Sequence, residues 1–348
     1  MSTASSSPLG LHRVIGQSRM LPQPAERLDA FMPCQSTEME IAVVCLHVDA
    51  SSLRQLRAAH EGDLAAVRAA ILELVRRRGK LHNPITNSGG MLTGVVRTVG
   101  AAYPAAPAIG TRMASLASLT LTPLRLDELG AVNAKSNSIA ARGTAFLFQT
   151  SPWVGLPTGI PENVVIAALD VAGAPARVRA RTRPASRVLI VGAGNSGSLA
   201  AIAAAEAGAA QVLVADIDPG RLRDIEALGL NTVGTVLADA TDAVAFAAAI
   251  GETVDLCVSC VDRPGVEPAC ILATEPRGHV LFFSMATDFA RAALSAEGMG
   301  SGVTLEIGNG LYPGHADLVV DLLRRHPAVW GMLAPEARAA QLAALKVP

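Results

Sequence analysis

The segment RVLIVGAGNSGSLAAIAAAEAG, Arg187 to Gly208, constrains the fold more than any other part of the chain. An apolar run over Arg187–Val191 breaks at Gly192 and gives way to an alanine-rich helix from about Gly197, which reads as strand, tight turn, helix. Gly192, Gly194 and Gly197 fit the spacing G-x-G-x-x-G. The first glycine makes the turn, the second lets the backbone approach a pyrophosphate, and the third permits close helix–strand packing. Asn195 and Ser196 complete the turn, where free N–H groups and the positive end of the helix dipole suit phosphate. A second strand, QVLVADIDP, ends at Asp216, 19 residues after Gly197. A carboxylate there accepts hydrogen bonds from ribose hydroxyls, which points to NAD. Arg221 and Arg223 are the alternative, as contacts for the 2′-phosphate of NADP.

The alternation continues through VDLCVSCVD, GHVLFFSMATD and GVTLEIGNG, with helices predicted at 219–228, 242–250, 266–273 and 315–325. The expectation is an α/β fold with a doubly wound, parallel Rossmann sheet. Ligands meet such a sheet at the C-terminal ends of its strands, which places Cys260 and Val261 beside the cofactor. Ser284, Met285 and Ala286 are expected on its nicotinamide side. A sheet of this kind that binds no nucleotide is the bland alternative. Cys257 and Cys260 form a C-x-x-C, but residues three apart on a strand face opposite ways, so a core or cofactor-lining role is expected rather than a metal pair. The remaining cysteines, Cys34, Cys45 and Cys270, complete no disulfide framework.

The first half has a different grammar. MEIAVVCLHVDAS, LTGVVRTVG and ARGTAFLFQ read as strands, and 63–78 as an amphipathic helix stopped by Gly79. With 348 residues, half of them hydrophobic, the chain is long enough for two domains. A net charge of −1 argues against a nucleic-acid surface. Arginine clusters at Arg76–Arg78 and at Arg177, Arg179, Arg181 and Arg183 are read as helix C-terminal ends, with a phosphate patch as the alternative. No run reaches the ~18 apolar residues of a membrane span. The Ser- and Pro-rich first thirty residues lack a signal-peptide core, so a cytoplasmic protein is expected.

A mostly β first domain, a helix from about Glu162, a dinucleotide domain and a final helical return together resemble the medium-chain dehydrogenase/reductase superfamily. The resemblance implies a GroES-like catalytic domain from 1–160 plus 313–348, a Rossmann domain over 161–312, and the cofactor between them. Zinc-binding members carry ligands at three positions. Here the first falls near Asp49–Ser51, the second reads Gly89-Gly90-Met91, and the third falls near Val171. Neither Gly90 nor Val171 has a ligating side chain, so no metal is expected.

KLHNPITNSGGMLTGVV (80–96), SLTLTPL, LDVAGAPA, LFFSMATDFARAALSAEGMG and IGNGLYPGHAD resemble, more specifically, the zinc-free L-erythro-3,5-diaminohexanoate dehydrogenase family. That resemblance implies NAD-dependent oxidative deamination of a diamino acid and a homodimer. The reaction needs a base to neutralise the substrate ammonium and then to activate water. His82 suits that role, Lys80 does so if burial lowers its pKa or else pairs with the substrate carboxylate, and Asn83 orients the reacting groups. Thr86 and Ser88 are expected to bind substrate, as are Asp49 and Asp170 beside two vacated zinc positions.

Plainer roles compete: a turn for His82, a solvated helix end for Lys80, a bulge for Gly89-Gly90, capping or ion pairing for Asp170, and a helix start for His315. Asn87 stands where the family commonly has glycine, and Asp288 and Arg291 also depart from its pattern, which brings a carboxylate toward the expected cleft. A related β-amino acid substrate, a zinc-free quinone or enoyl reductase using NADPH, and an NAD-binding regulatory protein are the other readings.

Overall fold

The computed structural model describes residues 6–334, so residues 1–5 and 335–348 of the expected catalytic domain lie outside the described residues. Two compact units divide between Ile166 and Ala167.

The first unit is built on one antiparallel sheet. Its elements are β1 (Glu38–Val48), α1 (Ala50–Ala59), α2 (Leu64–Arg78), β2 (Gly90–Val99), β3 (Arg112–Ser115), β4 (Leu124–Asn133), β5 (Ser138–Phe148) and β6 (Trp153–Gly155). The strand order is β4-β5-β1-β2-β3-β6. β1 lies at the centre, paired along most of its length with β5 and β2. Met39, Ile41, Val43, Leu46 and Val48 are buried there against Val67, Ile71 and Val75 of α2. Those three α2 residues recur every four positions, the spacing of one helix face. Asp63 caps α2 by accepting from the Ala65 and Ala66 amides, and Gly79 ends it in the left-handed region at φ 64°.

Arg13 fastens the segment ahead of β1. Its guanidinium meets the Glu38 carboxylate twice, at 2.8 and 2.5 Å, and donates to the carbonyls of Asp29, Met32 and Pro33. Burial works against the Glu38 carboxylate, and the hydrogen bonds from Arg13 and His12 outweigh it, holding the pKa at about 2.

After α3 (Glu162–Leu169), which carries the chain across the division, the second unit contains α4 (Gly173–Arg181), β7 (Arg187–Val191), α5 (Asn195–Glu206), β8 (Gln211–Asp216) and α6 (Pro219–Glu226). It continues with β9 (Val233–Leu237), α7 (Ala243–Ile250), β10 (Val254–Ser259), α8 (Glu267–Leu272), β11 (Thr274–Phe282), α9 (Phe289–Gly298), β12 (Thr304–Ile307) and α10 (His315–Arg325). All six strands run parallel in the order β12-β11-β10-β7-β8-β9. The order reverses between β7 and β10, where a doubly wound sheet opens a crevice at its carboxyl ends. Residues 197–204 of α5 are buried throughout, which is why that helix is built of alanine and other small residues.

The α/β reading therefore holds, with several differences in detail. α5 begins at Asn195, because extended Gly194 serves as its N-cap. Among the elements, α1, β3, β4, β6, β9 and α9 were not foreseen. In its described part, the segment from residue 313, expected with the first domain, packs with the second unit: α10 lies on α4 and α5. The physical reason is its apolar stripe, Val319, Val320, Leu322 and Leu323, which is buried in this packing. Three arginines of the second cluster form ion pairs. Arg177 and Arg181 each meet Glu306 at 2.8 Å, Arg179 reaches Glu206 at 3.9 Å, and His279 shares Glu306 at 2.6 Å. No helix among the described residues is long and apolar enough to cross a membrane.

Candidate active site

In the second unit the glycine turn has the geometry its spacing implies. Gly192 has φ 100°, and a Cβ on Gly197 would lie 1.8 Å from the Gly192 carbonyl oxygen. No side chain fits between turn and helix, so the backbone amides stay open to a ligand. The Ala193 amide donates to Asp216 Oδ2 at 2.7 Å and the Asp218 amide to Oδ1 at 2.9 Å. One carboxylate thus fixes both the glycine turn and the end of β8. Each oxygen keeps a further lone pair for a ribose hydroxyl.

A cavity of about 430 Å³ opens here, lined among others by Gly192, Gly194, Asp216, Arg221, Cys260 and Val261. These residues fit a dinucleotide. Asn195, Ser196 and Gly197 form the first turn of α5 behind it. Ser284, Met285 and Ala286 do not line this cavity. Ser284 Oγ accepts from the Ala286 amide at 3.1 Å, and the Met285 side chain is 88% exposed. Asp239, Thr241, Asp262 and Arg263 do line it and were missed, because each stands in a loop whose position only the folded sheet reveals. Cys257 and Cys270 of α8 are both buried in the apolar core, and burial pushes the Cys260 thiol up to about 12.

In the first unit, the stretch after Gly79 folds back onto the start of α1. Asn83 and Ser88 form a short bridge in which the Asn83 amide donates to the Ser88 carbonyl at 3.0 Å. The side-chain oxygen of Asn83 accepts from the Ile85 amide, and its Nδ2 donates to Gln55 Oε1 at 2.8 Å. Asn83 therefore shapes the loop from inside. The hydroxyls of Ser52, Thr86 and Ser88 lie 2.6 to 3.0 Å from one another, with Ser51 3.1 Å from Ser88. The Gly89 amide donates to Asp49 Oδ2 at 2.8 Å. Ser51, Ser52 and Gln55 were missed; they sit on one face of a helix that the sequence reading did not contain.

Gly90 has φ 117°, and a Cβ there would lie 2.0 Å from the His47 carbonyl oxygen. The glycine pair thus serves a close backbone approach at the head of β2. Asn87 stands at φ 52°, a left-handed conformation that glycine and asparagine adopt most readily.

Lys80 and His82 are both removed from water. Lys80 is fully buried, and Nζ donates to the carbonyls of Pro22 at 2.8 Å and Gln23 at 2.7 Å. Burial, with Arg78 nearby, brings its pKa down to about 7. His82 is 8% exposed, and its pKa is lowered by burial first and then by the charges of Lys80 and Arg78, against a hydrogen bond to Asn87 that favours the protonated ring. Its Nδ1 is buried without a hydrogen-bond partner among the described residues. The stretch therefore places a neutral imidazole with one unused nitrogen beside a lysine engaged by backbone carbonyls.

Three other expectations are local features. Asp170 belongs to the turn before α4 in the second unit, whereas Asp49 belongs to the first. His315 starts α10, with Nδ1 2.6 Å from the Tyr312 carbonyl oxygen. Asp288 is the N-cap of α9, accepting from the Arg291 amide at 3.0 Å, which accounts for the carboxylate at that position. Among the described residues, no group of three or more His, Cys, Asp or Glu side chains is arranged to hold a metal ion.

Residues 12–157 match the model of the L-erythro-3,5-diaminohexanoate dehydrogenase N-terminal domain, and residues 163–277 that of the alanine dehydrogenase/PNT C-terminal domain. Two curated relatives are both named L-erythro-3,5-diaminohexanoate dehydrogenase. The one from Fusobacterium nucleatum is 38% identical over 324 residues, covering 90% of this chain and 94% of the relative. The one from Acetoanaerobium sticklandii is 36% identical over 329 residues, covering 92% and 96%. Solved structures of medium-chain dehydrogenases share the fold. Escherichia coli galactitol-1-phosphate dehydrogenase has a TM-score of 0.53 at 15% identity, covering 84% of this chain and 83% of its own. A cinnamyl alcohol dehydrogenase from Sorghum bicolor scores 0.52 at 15%, covering 85% and 82%. Identity of this extent along nearly the whole length of both relatives shows that the chain belongs to the L-erythro-3,5-diaminohexanoate dehydrogenase family, an oxidoreductase family with a nicotinamide-binding Rossmann domain.

Proposed function

We propose that this protein oxidises L-erythro-3,5-diaminohexanoate at carbon 3 with NAD⁺ and water, giving 5-amino-3-oxohexanoate, NADH and ammonia. The observation that carries this reading is the name shared by two relatives at 38% and 36% identity over about nine tenths of the chain. When bound, the nicotinamide ring supplies a hydride acceptor. The choice of NAD over NADP rests on Asp216, whose carboxylate suits ribose hydroxyls and repels a 2′-phosphate.

The remaining chemistry falls to side chains of the chain. Carbon 3 gives up hydride readily only when its amine is neutral, and the iminium that results must then take up water. Both steps release a proton. His82 is assigned as the acceptor, because burial keeps it neutral and its Nδ1 has no other engagement. Lys80 acts as its cationic or neutral neighbour, with its own hydrogens directed at two carbonyls. Asn83, Thr86, Ser88 and Asp49 fix the loop that presents His82, and Asp170 is a candidate for the second amine. The proposed assembly is a homodimer in the cytoplasm.

The test uses metal-stripped protein with L-erythro-3,5-diaminohexanoate and NAD⁺, following NADH and ammonia together. Equal yields are expected. NADH without ammonia, or neither product while NADH binding persists, would remove the deaminating reading and leave the fold intact.

A further inference from the structure

We propose that the crevice between residues 22–28 and the last turn of α2 is a binding site for a small multivalent oxyanion such as phosphate, separate from the dinucleotide cavity. The crevice has a volume of about 350 Å³ and is lined by Glu26, Arg27, Arg76, Arg77 and Arg78. Of the four arginines, Arg76 is matched within α2, forking onto Glu73 at 2.9 and 3.0 Å. Arg27, Arg77 and Arg78 make no side-chain hydrogen bond or ion pair among the described residues, and the Arg78 Nε is buried with no acceptor. Glu26 is the one carboxylate in the lining, so the crevice keeps an excess of positive charge. Forked guanidiniums match the planar faces of an oxyanion.

The plainer account, that these cations merely suit the end of a helix, is met by the backbone itself. The Gly79 amide closes onto the Val75 carbonyl at 2.8 Å, and the Leu28 amide takes the Arg78 carbonyl at 2.8 Å. Two of the four terminal carbonyls of α2 are thus satisfied without any guanidinium. The opposite wall is also built rather than loose: Lys80 Nζ holds Pro22 and Gln23 by their carbonyls, and Leu28 packs against Gly79. The crevice is too small and too local for a nucleic-acid backbone, and it would repel the ammonium groups of a diamino acid. Occupancy would be felt nearby, since the charge of Arg78 acts, after burial, on both Lys80 and His82. The inference stands whether or not the deaminase reading does.

The test is a titration of the full chain with inorganic phosphate, in chloride buffer and with NADH saturating, followed by calorimetry. Saturable binding at one equivalent is expected. Arg77→Gln with Arg78→Gln should abolish it, and Glu26→Gln, which removes the opposing charge, should tighten it about three- to tenfold. That gain cannot come from misfolding. Malonate as a second probe separates a phosphate preference from general carboxylate binding, and either preference is consistent with an oxyanion site. Phosphate binding that NADH displaces would place the anion at the glycine turn and overturn the proposal. So would an affinity indifferent to both the Arg77/Arg78 and Glu26 changes, or one matched by chloride.

Discussion

His82 and Lys80 are displaced in the same direction for the same reason: withdrawal from water disfavours the cation of each. If His82 is the proton acceptor, His82→Ala should lower kcat by about 10²-fold or more while the affinity for NADH stays within a factor of two. Unchanged turnover in this variant would assign the base elsewhere. Lys80 makes a separate prediction about stability. Between about pH 7 and 10.5 the unfolded chain holds a proton on Lys80 that the native state does not, so stability rises with pH across that window and levels off below 7. Lys80→Met removes this slope. The stability difference between the parent and the variant should therefore grow by about 2 kcal/mol from pH 7 to pH 9 in urea melts, and a constant difference would contradict the depressed lysine. Both residues were legible as reactive types. The acceptors of Lys80 were not, because Pro22 and Gln23 lie 58 and 57 positions away and offer only backbone oxygens.

At the scale of elements, what could be read depended on whether the signal was local. Most of the Rossmann strands and helices announce themselves through runs of apolar residues and through caps such as Asp218 and Asp242, so the bounds of those elements fell within a few residues of the structure, whereas β9 and α9 were missed. α1 was hidden because its sequence, ASSLRQLRAA, carries a short apolar stripe beginning with two serines. Those serines hold the 83–90 loop, so missing the helix meant missing the support of the candidate site. The double glycine marks the joint between the two. Gly90→Ala would force a Cβ against the His47 carbonyl at φ 117°, and should cost about 3 kcal/mol in equilibrium unfolding, with activity lost at temperatures where the parent remains active. A loss under about 1 kcal/mol would mean that the β1–β2 end relaxes freely, leaving the bulge reading in place.

At the scale of the whole molecule, each unit has its own apolar core, so a ligand held by one of them stabilises that one first. The apolar stripe of α10 places the described part of the C-terminal segment with the second unit. The dinucleotide cavity is lined wholly by residues of the second unit, from Val191 to Val266. NADH at a hundred times its Kd should therefore add about 2.7 kcal/mol of protection against amide exchange in β7, α5 and β8. The first turn of α5 should respond most, since its free amides are where the phosphates of a dinucleotide would be held. NADPH at the same concentration should protect far less, because its added phosphate meets the Asp216 carboxylate. If the two cofactors protect equally, Arg221, whose Nη1 lies 3.2 Å from where a Cβ on Gly194 would stand, dominates over Asp216, and the assignment of NAD fails. Protection confined to the antiparallel sheet of the first unit would instead separate the cofactor from the glycine turn altogether.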